Sequence, residues 1–311
     1  MATSPKHTIL TAFLGLLFGL AISPWTNTKP QHAFVSPISN SLAQEAATPL
    51  PKPSSKRQST MQQYFALFDK EQEMWNTPSQ VLGETDQSEL ISPKKGRATI
   101  AVVGDSMVDT MGTGLPYLEK ALKQYYPNME FTLLNYGIGA ENVTKVATRI
   151  STAYSYKDRQ YPKVIDSGAN IVIVESFAYN PIGDSDTDLD TYRHSLSQVI
   201  NKAKPPNSHL LFLATIAPLK TSFGKGPGGV NWEQDTAYVH ATKIQNYLEA
   251  GISTASQQGL PIIDCYHPTL LSSGEGKKEL VSAHDGIHPS EAGHRYVSNA
   301  IARKIASLKL L

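Results

Sequence analysis

An α/β fold with a five-stranded parallel sheet is predicted from Arg97 to the C-terminus, and three observations predict it. Short runs that are apolar throughout recur along the chain; segments with helical spacing separate them; and the polar motifs fall where the runs end. Strands without a polar face are buried on both sides, which calls for helices above and below a parallel sheet. In such a sheet ligands sit at the carboxyl ends of the strands, near the switch in strand order.

The elements follow in order. Thr99–Val103 is the first strand and stops at Gly104. Leu115, Leu118, Leu122 and Tyr125 carry a helix to Tyr126 that ends before Pro127. Phe131–Leu134 is the second strand, running into Asn135-Tyr-Gly-Ile-Gly139, with a helix expected from about Asn142 to Tyr154. Asn170–Val174 and His209–Thr215 are the third and fourth strands. Helices at about Leu189–Ala203 and Glu233–Gln257 flank the fourth. Pro261–Asp264 is the fifth strand, and Ser290–Leu308 the last helix. No internal repeat is found.

Three regions are expected: 1–28, an N-terminal membrane anchor or signal segment; 29–95, a Pro/Ser-rich linker with a short amphipathic helix; and 96–311, the α/β domain. Between His7 and Thr28 there is no formally charged residue, and Ile9–Ile22 is almost wholly apolar. A helix of about 22 residues spans about 33 Å, enough for a bilayer core of about 30 Å. Lys6 in front of it favours keeping that end in the cytoplasm. A cleaved signal peptide is the rival, but Pro24 and Trp25 stand where small residues normally permit cleavage. Either reading exports the rest of the chain. Pro30, Pro37, Pro49, Pro51 and Pro53 mark the linker, and Met61, Tyr64, Phe65, Phe68 and Trp75 its helix.

Composition removes several classes. The 311 residues carry 28 Lys and Arg against 27 Asp and Glu, a net charge of +1, so no dense basic face for nucleic acid is expected. Cys265 is the single cysteine, which excludes an intrachain disulfide and a Cys-based zinc site. His284-Asp285 is a possible metal pair, with His267 as a loose third ligand, but no cluster supports it; no metal and no cofactor are expected.

The chemistry concentrates in two motifs. Gly104-Asp105-Ser106 places a hydroxyl at the end of the first strand, where Ser106 is either a nucleophile or a helix cap. Asp285-Gly-Ile-His288-Pro289 lies between the fifth strand and the last helix. Its spacing lets a turn bring Asp285 to Nδ1 of His288 and leaves Nε2 to face Ser106. The rival reading is a solvated Asp and His at a helix start.

Together with Asn135–Glu141 and Glu175–Asn180, these motifs make the chain resemble the GDSL/SGNH hydrolase superfamily over about Thr99–Leu308. The resemblance implies a flavodoxin-like three-layer fold, no cofactor, and esterase, acetylesterase, lipase or thioesterase activity. It implies Ser106 as nucleophile, His288 as base and Asp285 as its orienter. It also implies an oxyanion hole from the Ser106 N–H, an N–H at Gly139 or Ala140, and the Asn180 amide. The third block departs from the family's usual Gly-x-Asn-Asp, having Phe177-Ala-Tyr-Asn-Pro181.

The expected function is therefore an extracytoplasmic serine esterase. Its substrates would be O-acetyl groups on envelope or extracellular glycans, with a lipid esterase or a catalytically silent glycan-binding relative as alternatives. Phe177, Tyr179 and Trp232 are either cleft aromatics or core and rim packing, and Thr221–Gly229 is either a mobile lid or an idle surface loop.

Overall fold

The structure, a computed structural model, describes residues 96–157 and 159–311. The expected membrane or signal segment, the linker and its amphipathic helix lie outside the described residues. Among the described residues no helix is long and apolar enough to cross a membrane.

The elements in chain order are β1 (Gly96–Gly104), α1 (Ser106–Asp109), α2 (Pro116–Tyr125), β2 (Met129–Gly137) and α3 (Val143–Arg149). A small antiparallel pair follows, β3 (Tyr154–Tyr156) with β4 (Arg159–Tyr161). Then come β5 (Ile171–Glu175), α4 (Asp186–Ala203), β6 (His209–Ala214), α5 (Gln234–Gln257), β7 (Ile262–Asp264) and α6 (Glu291–Ser307). The five remaining strands form one parallel sheet in the order β2-β1-β5-β6-β7. This is the flavodoxin-like order, with its switch point between β1 and β5.

All five residues of β5 are buried, as are Ile100–Gly104 of β1. That burial on both faces is why Ile, Val and Ala fill these strands, each large side chain stabilising the fold by about 1.5–3 kcal/mol. Helices pack in two groups, α2 with α6 and α3 with α4 and α5. The amphipathic α2 starts at Pro116, whose ring suits a first helical turn, and buries Leu118, Ala121 and Leu122. Ser185 opens α4 with a capping box, its hydroxyl accepting from Asp188 N–H while the Asp188 carboxylate accepts from Ser185 N–H.

One predicted element is wrong. The helix expected to reach Tyr154 ends at Arg149, and β3 and β4 follow it. Tyr154, Tyr156 and Tyr161 alternate with polar residues, a period of two that suits a half-buried strand. Tyr154 and Tyr161 pair across the hairpin with ring centroids 4.8 Å apart. The hairpin leans on the end of β2 through Tyr136, which stands 4.8 Å from Tyr161.

Candidate active site

The switch point places two loops side by side. After β1, the chain turns at Asp105 and enters α1 with Ser106 as its first residue. After β5, Glu175-Ser176 leads into a turn in which Phe177 has φ 55° and Asn180 N–H donates to Phe177 O at 3.3 Å. Asp105 joins the two loops. Its Oδ1 accepts from Met107 N–H at 2.8 Å, capping α1, and its Oδ2 accepts from Asn180 Nδ2 at 2.8 Å. The carboxylate thereby fixes both the turn that bears Ser106 and the Asn180 amide.

Asp105 is fully buried, and burial pushes its carboxyl up to about 6. The Met107 N–H, the Asn180 amide and the charge of His288 pull the other way. Beneath it, buried Glu175 accepts from Ser176 Oγ at 2.5 Å and from Phe177 N–H at 2.7 Å. Burial and the neighbouring Asp105 charge push Glu175 well above the usual carboxylate range. Burial and the proximity of the two carboxyls thus disfavour the charged form of both.

The second block packs tightly under α1. A Cβ on Gly137 would stand 2.3 Å from Asp109 N, so only glycine fits. Asn135 is buried there, its Nδ2 donating to Val108 O at 2.9 Å and Gly112 O at 2.8 Å, which satisfies carbonyls at the end of α1. The two oxyanion candidates differ. Gly139 N–H donates to the Tyr156 hydroxyl at 3.1 Å. Ala140 has φ 56°, a left-handed conformation that favours glycine, and its N–H has no partner among the described residues.

Asp285 and His288 sit on the loop before α6. His288 Nδ1 lies 2.7 Å from Asp285 Oδ2, while Asp285 Oδ1 accepts from Ile287 N–H at 2.9 Å and His288 N–H at 3.0 Å. Partial burial opposes the Asp285 charge, but the His288 bond and these two N–H groups outweigh it and hold its carboxyl below the usual value. The aspartate is thus a fixed anion facing Nδ1, which sets the imidazole tautomer.

A cleft of about 720 Å³ brings the pieces together: Ser106, Gly139, Ala140, Asn180 and His288 all line it, with Tyr156, Tyr179, Phe223, Trp232 and His240. Ser106 Oγ makes no hydrogen bond to His288 among the described residues. Such bonds are often long until substrate binds.

Two sequence readings change here. Phe177 is fully buried and does not line the cleft, whereas Tyr179 and Trp232 do. The segment Thr221–Gly229 is not a free lid: Gly224 and Gly228 are hydrogen-bonded to the 284–286 loop. His267 lies instead in a turn of its own, its Nδ1 2.7 Å from Asp264 Oδ2 and its Nε2 3.1 Å from Glu249 Oε1.

Sequence reasoning missed Asp109, Tyr156, Lys157 and Arg159. Asp109, one helical turn after Ser106, receives Arg159 Nη2 at 2.5 Å and Lys157 Nζ at 2.9 Å. The hydroxyl of Tyr156 reaches the same carboxylate at 3.3 Å. The available signal was the Asp three residues after Ser106, which faces the same side as the serine. Also missed was a second Asp-x-x-His-Pro, at Asp264–Pro268.

A gut microbial diltiazem-metabolizing enzyme has the same fold with a TM-score of 0.50 at 16% identity, over 69% of this chain and 48% of that one. The lipase/acylhydrolase of Enterococcus faecalis gives 0.47 at 18% identity, over 68% and 96%. The acetylxylan esterase of Geobacillus stearothermophilus gives 0.44 at 18% identity, over 69% and 96%. No curated protein sequence matches the chain. Residues 102–296 match the GDSL-like lipase/acylhydrolase family, a span well over half the chain that contains every motif of the cleft, and the chain belongs to that family of hydrolases.

Proposed function

We propose that the chain hydrolyses carboxylic esters through a serine acyl-enzyme and that the alcohol it releases is a sugar hydroxyl. The observation that carries this reading is the 2.7 Å contact between Asp285 Oδ2 and His288 Nδ1, in a loop whose histidine lines the same cleft as Ser106. Ser106 Oγ attacks the ester carbonyl and gives its proton to His288 Nε2. The imidazolium, stabilised by Asp285, returns that proton to the departing alkoxide. Water then attacks the acyl-serine, again losing a proton to His288. The acid leaves and Ser106 regains its hydrogen.

The oxyanion is met by three donors: the N–H groups of Ser106 and Ala140 and the Asn180 amide. Gly139 is set aside because Tyr156 engages its N–H. Losing one such donor costs about 10²–10³ in rate.

His288 must reach the leaving oxygen, so the alcohol lies on its side of the cleft. Lining the same cleft, Phe223 and Trp232 are stacked, 6.2 Å between centroids and 28° between planes, with His240 edge-on to Trp232 at 4.9 Å. A flat aromatic surface suits the C–H face of a sugar ring. The apolar run Ile9–Ile22 supports export and a membrane tether, and with it O-acetyl groups of envelope or extracellular glycans as substrate.

The test uses the full chain in mild detergent, with a fluorophosphonate probe read by intact mass. Acetyl and octanoyl p-nitrophenyl esters and an O-acetylated oligosaccharide serve as substrates. One adduct, absent in Ser106→Ala, and release of acetate from the oligosaccharide are expected. Preference for octanoate would overturn the sugar reading in favour of lipid esters. Absence of adduct and turnover in folded protein would overturn the hydrolytic mechanism.

A further inference from the structure

The loop between β6 and α5 is tied to the loop bearing Asp285 and His288 by main-chain contacts. Gly224 N–H donates to Gly286 O at 3.1 Å, and Gly228 N–H donates to His284 O at 2.8 Å. The approach leaves no room for side chains. A Cβ on Gly226, which has φ 147°, would stand 2.4 Å from His284 O, and one on Gly286 2.7 Å from the carbonyls of both Lys225 and Ser222. Glycine is therefore required on both partners, which accounts for glycines in both segments.

The loop is also closed upon itself. Asn231 Nδ2 donates to Gly226 O at 2.9 Å and Gly229 O at 3.0 Å, and its Oδ1 accepts from Gly226 N–H at 3.1 Å. Asn231 N–H donates to Gly224 O at 2.8 Å, and Lys225 Nζ reaches Trp232 O. Meanwhile the 282–288 loop is fastened at its base, where Ser282 N–H donates to His288 O and Gly286 N–H to Ser282 O, both at 2.8 Å. Its apex, His284–Gly286, is held from the other side by Gly224 and Gly228.

We propose that residues 222–232 are a positioning strap that holds the Asp285–His288 pair in working geometry, with Asn231 as its clasp. The strap rests on the ester hydrolysis proposed above, because that reaction is what the geometry serves. A histidine that must first face a serine and then a leaving alcohol tolerates little displacement; an error of about 1 Å can cost about 10²-fold. Backbone-to-backbone attachment suits this task, since it leaves few side-chain rotamers to relax. The same strap carries Phe223 and Trp232 into the cleft, so the proton donor and the leaving-group wall move as one piece.

Asn231→Ala removes three hydrogen bonds without altering residues 282–288 or a cleft-lining side chain, and Gly226→Ala drives a methyl group against the backbone carbonyls of Ala283 and His284. The experiment compares both variants with the wild-type full chain by three readouts. These are kcat and KM on p-nitrophenyl acetate, the melting temperature, and the downfield proton resonance of His288 Nδ1–H, assigned by its loss in His288→Gln. The expected result is a ten- to hundredfold fall in kcat with KM changed less than about threefold. The Nδ1–H resonance should broaden through faster exchange with water, in protein that still melts cooperatively.

Wild-type kcat and an unchanged resonance in folded Asn231→Ala would overturn the strap. Should Gly226→Ala fail to fold, Asn231→Ala decides alone. A wild-type chain inactive on every ester would sink the proposed hydrolysis, and the resonance would still show whether residues 222–232 hold the pair.

Discussion

His267 meets Asp264 through the same contacts by which His288 meets Asp285. In each turn one carboxylate oxygen accepts two successive backbone N–H groups, Tyr266 and His267 at 3.0 Å or Ile287 and His288 at 2.9 and 3.0 Å. The other oxygen stands 2.7 Å from Nδ1. What separates the two histidines is the far nitrogen. His267 Nε2 is 3.1 Å from Glu249 Oε1 on α5, whereas His288 lines the cleft. The same five-residue turn thus supplies an ion-pair clamp in one place and a candidate base in the other.

The clamp predicts a pH-dependent stability. Burial opposes the His267 charge, but the Asp264 and Glu249 bonds outweigh it and raise the imidazole from 6.5 to about 9. A raised folded value gives stability that is full below about pH 6.5 and lost as pH rises through about 9. Its ceiling is about 3 kcal/mol, reduced because Glu249 is half exposed and screened by water. His267→Gln should therefore melt lower than wild type at pH 6, with the gap closing by pH 10. A gap constant with pH would mean that His267 is neutral in the fold.

Asp105 and Glu175 titrate with the opposite sign. Asp105, raised from 3.8 to about 6, is an acid whose neutral form the fold prefers, so its contribution declines as pH rises from about 4 through 6. Asp105→Asn should flatten that slope in denaturant titrations. It should also lower kcat by about 10²-fold, because one carboxamide oxygen cannot accept from both Met107 and Asn180. Glu175→Gln mimics the protonated acid and needs only that the Ser176 hydroxyl turn from donor to acceptor. It should keep stability within about 1 kcal/mol of wild type at pH 7. A large loss there would mean that Glu175 is ionised.

How far the sequence carried this picture depended on the range of the interaction. The five strands are set by unbroken Ile, Val and Leu runs, and both ends of the cleft by local motifs, Asp105-Ser106 and Asp285-x-x-His288, that need only a turn to take shape. Phe177 was misplaced because an aromatic beside a site motif gives no sign of its direction; φ 55° there turns the ring into the core. The hairpin was hidden because Ile150–Tyr154 continues an apolar pattern that Arg149 ends, through bonds to Glu141 and the Tyr154 hydroxyl. The strap was invisible because its partners lie some sixty residues apart, and glycines facing each other leave no pattern in either segment.

The ion pair of Asp109 with Arg159 fastens the hairpin to α1, and its side chains are only 10% and 8% exposed. Asp109→Ala leaves the guanidinium buried without a counter-charge and should destabilise the domain by about 3–5 kcal/mol. Asp109→Leu combined with Arg159→Met replaces the pair by apolar groups and should recover much of that loss. Urea unfolding of the two variants provides the comparison. Equal stabilities would show that the pair's charges are not coupled in the fold.

The choice between Ala140 and Gly139 as oxyanion donor rests on what each N–H faces, and two substitutions separate them. Ala140 occupies a left-handed conformation that costs a residue with a Cβ about 1 kcal/mol. Ala140→Gly should therefore raise stability by up to about that amount while keeping kcat within a few-fold, since the N–H remains. Tyr156→Phe takes the acceptor away from Gly139 N–H and should cost about 1 kcal/mol or more of stability. With Ala140 as donor, its effect on turnover of a small acetate ester is slight, because the tyrosine hydroxyl only secures the hairpin through Gly139 and Asp109. Were Gly139 the donor, Tyr156 would be competing with the oxyanion for it, and Tyr156→Phe would instead raise kcat. Steady-state kinetics on p-nitrophenyl acetate distinguish the two, with a rise in kcat for Tyr156→Phe overturning the assignment to Ala140.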